Sequence, residues 1–381
     1  QLHPTRMSPI QLVRGGPDSN VNFASMRTMR DFLAEAWPRL GTQLPKIALA
    51  DLPTPVEPNV LRLGGEAFDI SIKRDDLTGK LYGGNKVRKL EYLLHRARAR
   101  GAERIATFGT VGSNHALATA LYAQSMGYEC SCFLSHQPPT PTTARTLCLH
   151  LHNGTEIIRY GGGRASRIAT LREHLWHRRT FLIPPGGSNW LGAIGFVAAG
   201  LELAAQIDAG AVTAPDRLYV ANGTMATAVG LTLGLALAGL TTEVHAIQVT
   251  EDFVSSPGAM RRLLEKTALV LNHLDASIPA DLASRARYAF RTGYLGDGYA
   301  RSNEKTEAAV ALAGEQLGLA LETTYTGKAF AALLDDLGDK GGNALFWNTY
   351  NSRALPDPVI GAAAETRLPD AFLRYLDGVP N

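Results

Sequence analysis

The chain has 381 residues, is 45% apolar and 19% charged, and carries 38 basic against 35 acidic side chains for a formal charge of +3. That is the composition of a packed globular protein long enough for two domains; it excludes a mainly disordered chain, and so even a charge balance leaves no electrostatic footprint for nucleic acid. Cys130, Cys132 and Cys148 form neither a C-x-x-C pair nor a disulfide framework, which fits buried thiols in a reducing, cytoplasmic setting.

In chain order, residues 1–50 read as an extension packed on the main body, with one helix predicted over Ser25–Trp37. From residue 68 onward, apolar runs rich in Ile, Val and Phe alternate with helical segments. FDISIK precedes a helix from Asn85, RIATFG precedes Ser113–Met126, and YECSCFL precedes Thr142–His152. TEIIRY then leads to Ala165–His177, TFLIP to Trp190–Ile207, DRLYVA to Met225–Ala238 and EVHAIQV to Pro257–Leu271. Helices at Glu304–Leu317 and Lys328–Leu337 and a strand, NALFWN, close the series. Strand–helix–strand spacing of this kind predicts an α/β fold with open parallel sheets, whose ligands gather beyond the carboxyl ends of the strands. The uncharged run Leu218–Leu240 is long enough to span a bilayer, but it divides into a strand, an NGT turn and a buried helix, so no membrane partner is expected.

The helix opening in YGGNKVRKLEYL, residues 82–93, places Lys86, Arg88 and Lys89 where unpaired N–H groups and the macrodipole disfavour cations. Leu90, Leu93 and Leu94 supply its apolar stripe. Arg88 and Lys89 read as a solvated basic face or as electrostatic neighbours. Lys86 reads as a lysine whose pKa the dipole and nearby positive charge depress, suiting Schiff-base chemistry. Three later loops carry further candidates. Ser113 or Asn114, in GTVGSNH, caps a helix or binds an anionic oxygen. Asn222-Gly223-Thr224-Met225-Ala226-Thr227, at a helix start, is an anion cradle without the lysine of a nucleotide-binding loop. Tyr325, before Thr326-Gly327-Lys328, offers a ring for stacking and a phenol for proton transfer. Gly187-Ser188-Asn189 has no role legible in the sequence. Ten histidines show neither H-E-x-x-H nor a tight cluster with acids, so no metal is expected.

GGNKVRKLE, GSNHALATA, the strand–NGTMAT–helix unit and Tyr325-Thr326-Gly327-Lys328, in that order, resemble the D-cysteine desulfhydrase and aminocyclopropane-carboxylate deaminase family. The resemblance runs from about Pro53 to Leu355. It implies pyridoxal 5'-phosphate as cofactor and the two-domain tryptophan-synthase-β-like fold, fold type II. A small domain over 89–196 would be inserted in a larger one built from 51–88 and 197–381, with 1–50 outside and a homodimer as the assembly. It also implies that Lys86 is the Schiff-base lysine and that Asn114 meets the cofactor's ring oxygen. Ser113, Asn114 and His115 would face the substrate, and Gly223, Thr224, Met225, Ala226 and Thr227 would hold the phosphate. Tyr325 would flank the cofactor ring, Tyr299 would be a second active-site tyrosine, and Thr349 would approach the ring nitrogen.

Thr326 and Thr349 stand on the desulfhydrase side of the family, whose deaminases carry Glu and Leu there. The implied activity is β-elimination from a small amino acid, D-cysteine giving pyruvate, ammonia and sulfide. The alternatives are altered specificity (deaminase, β-replacement or racemase) and a non-catalytic cofactor-binding relative. Met225, Tyr350 and Asn351 depart from the family's small residues, so a reshaped pocket is expected.

Overall fold

The structure, a computed structural model, describes residues 30–140, 142–175, 179–355, 357–358 and 367–376. Of the helix predicted over Ser25–Trp37, residues 25–29 lie outside the described chain; the remainder is α1 (Phe32–Ala36), capped by Asp31, and Pro38 then opens a second helix, α2 (Pro38–Gln43). Phe32, Leu33, Leu40 and Leu44 are buried in the main core, which fastens residues 30–50 to the body.

The chain continues through β1 (Val56–Leu63), β2 (Glu66–Lys73), α3 (Lys86–Ala99), β3 (Arg104–Thr110), α4 (Asn114–Ser125), β4 (Glu129–Ser135), α5 (Thr143–His152), β5 (Glu156–Arg159), α6 (Arg164–Leu175), β6 (Thr180–Ile183) and α7 (Trp190–Asp208). It ends with β7 (Arg217–Asn222), α8 (Ala226–Leu237), β8 (Glu243–Gln248), α9 (Pro257–Leu274), α10 (Leu282–Arg285), β9 (Tyr288–Arg291), α11 (Glu304–Leu317), α12 (Thr326–Lys340), β10 (Ala344–Trp347) and α13 (Asp370–Leu373). The predicted helix end at His177 lies outside the described residues.

Two sheets organise these elements, in the orders β1-β2-β10-β7-β8-β9 and β5-β4-β3-β6. Every pair is parallel except β1 with β2, a hairpin turned by Gly64 and Gly65, both at positive φ. β1 was not foreseen because Pro58 interrupts its apolar run; as an edge strand it leaves the missing N–H of Pro58 facing outward at no cost. The four-stranded sheet is drawn wholly from residues 104–183, between the β2 and β7 segments of the larger one.

α7 is apolar over 19 residues and long enough to cross a bilayer, yet most of it is buried inside the molecule against α3 and α8. Its approach to α8 is very close: a Cβ at Gly234 would sit 2.4 Å from the Val197 carbonyl oxygen, and one at Gly200 2.9 Å from Gly234 Cα. The sequence reading of 218–240 holds, with β7, a turn and α8 in place of a span. Loops beyond the ends of β3, β7 and β10 converge with the turn that precedes α3, as expected of an open parallel sheet.

Gly→Ala inside a helix ordinarily stabilises by up to about 1 kcal/mol. Here Gly234→Ala drives a methyl into backbone, so urea unfolding should show a loss of about 1–3 kcal/mol.

Candidate active site

The converging loops enclose a cavity of about 880 Å³ whose wall includes Lys86, Ser113, Asn114, His115, Gly223, Thr224, Met225, Thr227, Tyr299, Tyr325 and Thr349. Ala226 lies behind that wall, fully buried in the first turn of α8. One space thus gathers eleven of the twelve residues to which the resemblance gives a cofactor or substrate role, from six separate stretches of chain.

Lys86 opens α3, and its Nζ donates to Asn85 Oδ1 at 2.7 Å. The Asn85 amide nitrogen donates in turn to Thr227 Oγ1 at 3.0 Å, tying the lysine to the loop before α8. Desolvation lowers the Lys86 pKa to about 8, against the opposing field of Glu322. The cause differs from the sequence expectation of dipole and cationic neighbours. Arg88 is 1% exposed, and its charge is matched by Asp75 and Glu202 at 2.7 and 2.9 Å. Lys89 is 2% exposed, donates to Gly186 O at 3.1 Å, and is held well below the ordinary lysine range, first by burial and then by Lys86. The solvated reading of Arg88 and Lys89 is therefore wrong: α3 begins inside the protein, where Arg88 is paired and burial shifts Lys89 toward its neutral form.

The Gly223–Thr227 loop is braced from three sides. Ser188 Oγ donates to Thr224 Oγ1 at 2.7 Å, Thr250 Oγ1 donates to the Gly223 carbonyl at 2.8 Å, and Asn85 holds Thr227. Gly186, at φ 64°, admits Thr224: a Cβ there would lie 2.0 Å from its hydroxyl. This gives the loop around Ser188 a function, with Lys89 anchored beneath it. Met225 takes φ 73°, a conformation that favours glycine and costs an L-residue about 1–3 kcal/mol. The backbone therefore keeps the shape of a glycine turn where the sequence has methionine. Threonine hydroxyls, the first N–H groups of α8 and the positive end of its dipole form a cradle that fits a phosphate.

Tyr82 Oη donates to Asn114 Oδ1 at 3.2 Å, which leaves the amide NH₂ of Asn114 for the cavity. Ser113 Oγ accepts from Ala116 N at 3.2 Å as the cap of α4 and still lines the cavity. His115 is 4% exposed, with Nε2 2.9 Å from Thr107 Oγ1; burial and the two lysines keep it neutral, so it offers no charge to a substrate carboxylate. On another wall the hydroxyls of Tyr299 and Tyr325 share a short hydrogen bond. Both phenols are pushed up, foremost by burial. The Tyr325 ring covers Gly223, where a Cβ would come 3.4 Å from Cε1.

Sequence reasoning missed Glu322. Its carboxylate accepts from the backbone N–H groups of Thr324, Tyr325 and Thr326 at 2.8–2.9 Å, fixing Tyr325 and the start of α12. An acid four residues before a helix start was the available signal. The Thr349 carbonyl accepts from Asn85 N at 3.2 Å, and Asn351 Oδ1 accepts from Gly83 N at 2.6 Å. Asn351, a departure from the family's small residues, thus braces the turn that carries Lys86.

A family model described as pyridoxal-phosphate dependent enzyme matches residues 47–347. The chain belongs to that family. Nocardicin C-9' epimerase of Nocardia uniformis subsp. tsuyamanensis is 33% identical over 321 residues, covering 81% of this chain and 94% of the epimerase. D-cysteine desulfhydrase of Klebsiella pneumoniae (strain 342) is 33% identical over 330 residues, covering 82% of this chain and 96% of the desulfhydrase. Among solved structures, an ACC deaminase homologue superposes with a TM-score of 0.67 at 26% identity, covering 89% of this chain and 99% of that one. The protein is therefore a pyridoxal 5'-phosphate enzyme of fold type II, in the group of D-cysteine desulfhydrase and ACC deaminase.

Two measurements check the site. Attachment of pyridoxal phosphate to cofactor-free protein, followed by visible absorbance, should speed up as pH rises through about 8 and level off above it; a rise that continues to the ordinary lysine range would show an amine that is not desolvated. Glu322→Ala orphans three N–H groups and should cost about 2 kcal/mol of stability by urea unfolding.

Proposed function

We propose that this enzyme eliminates the β-substituent of a small amino acid, with D-cysteine as substrate and pyruvate, ammonia and sulfide as products. The observation that carries the reading is Lys86: an amine with a pKa near 8 in the wall of a cavity that also holds a phosphate cradle and two phenols. The similarity to D-cysteine desulfhydrase supports it. So do Thr326 and Thr349, neutral hydroxyl residues where the family's deaminases carry Glu and Leu.

The bound cofactor supplies an electron sink for the pair left at the substrate α-carbon. Gly223, Thr224 and Thr227 would hold its phosphate, the Asn114 amide would meet its ring oxygen, Tyr325 would flank the ring and Thr349 would approach the ring nitrogen. Ser113 and Asn114 orient the substrate carboxylate. Lys86, as a neutral amine, would take the α-proton; the Cβ–S bond would break with its electron pair on sulfur, and water would complete release of pyruvate and ammonia. A neutral Thr349 there could not hold a proton at the ring nitrogen as a carboxylate would, which would favour prompt loss of the β-substituent.

A second reading, inversion at the α-carbon, is favoured by the similarity to nocardicin C-9' epimerase and by the Tyr299–Tyr325 pair, a second proton-bearing group in the same space.

Incubation with a panel of D- and L-amino acids separates the two. Pyruvate and sulfide from D-cysteine are expected, while an inverted amino acid returned uncleaved would overturn elimination. Lys86→Ala should abolish the absorbance of lysine-bound cofactor and lower turnover by about 10²–10⁴-fold.

A further inference from the structure

Gln137 lies in the turn after β4, outside every motif in the sequence. Its side-chain oxygen receives two hydrogen bonds, from Gly112 N at 3.2 Å and from Thr110 Oγ1 at 2.5 Å. The amide lies flat on Gly112, where a Cβ would come within 2.7 Å of Nε2. Turning the amide over would set its NH₂ against the Gly112 N–H, so the backbone decides which end faces Thr110.

The donor count then propagates inward. An amide oxygen only accepts, so the single hydroxyl proton of Thr110 is committed to Gln137. Thr110 Oγ1 also lies 3.3 Å from Tyr299 Oη, and that contact is a hydrogen bond only if Tyr299 donates. With the Tyr299 proton so engaged, the short bond between the phenols must be donated by Tyr325. We propose that Gln137 is a positioning residue that, through Thr110 and Tyr299, turns the phenolic proton of Tyr325 away from the substrate. This rests on the proposed function, in which Tyr325 flanks the cofactor and its phenol, in the cavity wall, comes within reach of the substrate.

Tyr325 then presents lone pairs to the cavity. The substrate group that meets it is a hydrogen-bond donor, an ammonium or a thiol, and Tyr325 has no proton to return to the α-carbon. That separates elimination, which needs one base, from inversion, which needs a second proton donor. Titratable groups near the two phenols include Glu251, which accepts the Tyr299 N–H at 2.9 Å, Glu322 before α12, Tyr82 before α3, and Lys328, which donates to the Gly298 carbonyl at 3.2 Å.

The test is the pH titration of the two phenols in the holoenzyme, followed by NMR of ¹³Cζ-labelled tyrosine. Gln137→Leu removes the acceptor, so Thr110 and then Tyr299 can donate back toward Tyr325 and stabilise a phenolate; a phenol titration lower by about one pH unit is expected. Gln137→Glu, which restores an acceptor, should not show the drop. An unchanged titration in Gln137→Leu, or an equal drop in Gln137→Glu, overturns the proposal. Thr110→Val breaks the same relay and is read the same way if Gln137→Leu does not fold. No substrate enters the titration, so failure of D-cysteine turnover and failure of the relay are told apart.

Discussion

Two residues beyond Lys86, the guanidinium of Arg88 spreads over two buried carboxylates. It lies within 3.1 Å of both Asp75 oxygens, both Glu202 oxygens and Thr54 Oγ1. Lys73 closes the group, 2.5 Å from Glu202 and 2.8 Å from the Thr54 carbonyl. Burial alone would push the Glu202 carboxyl up, but Arg88 and Lys73 hold it down at about 2. Removing one member of such a set leaves an uncompensated charge in the interior, a cost of about 3–5 kcal/mol. The set joins the end of β2, the start of α3 and the middle of α7, the three segments that meet behind the cavity. The Asp75 carbonyl also accepts from Gly84 N at 2.8 Å, so the knot grips the turn that delivers Lys86.

That dryness accounts for the chemistry of the site. Desolvation, and no special partner, lowers Lys86 to about 8, and burial together with Lys86 holds Lys89 well below the ordinary lysine range. The two amines share one region, so charge on Lys86 adds to burial in lowering the pKa of Lys89. Burial first, and then the two lysines, lower the pKa of His115 as well. Burial thus shifts Lys86, Lys89 and His115 in one direction, toward their neutral forms.

Periodic patterns revealed much of this arrangement. Strands and helices from 104 to 248 show clear apolar runs with turn residues between them, and their expected bounds fall within a few residues of those observed. β1 was hidden by Pro58, and β9 by its four-residue length and mixed composition, YAFR. Lys86 and the loops at 113–115 and 223–227 were legible because their chemistry is written in contiguous residues. Glu322, Asn351, Gln137 and Lys89 were not. Asn351 acts on Gly83, 268 positions away, and Lys89 on Gly186, 97 positions away, and no local pattern records either contact. Arg88 and Lys89 were misjudged for a related reason: a charged residue looks solvated until the fold shows which surface its helix face meets.

The cavity joins two kinds of wall. The inner one, from Lys86 through Asn85 and Thr227 to Ser188 and Thr250, is a mesh in which most side chains hold one another. The outer rim is formed by side chains such as Phe253, 89% exposed, and Arg167, whose only described ring contact is with Tyr160. A laboratory that wished to redirect this enzyme would find the two walls unequal. Rim positions can be varied one at a time, whereas any change on the inner wall must be made together with its partners.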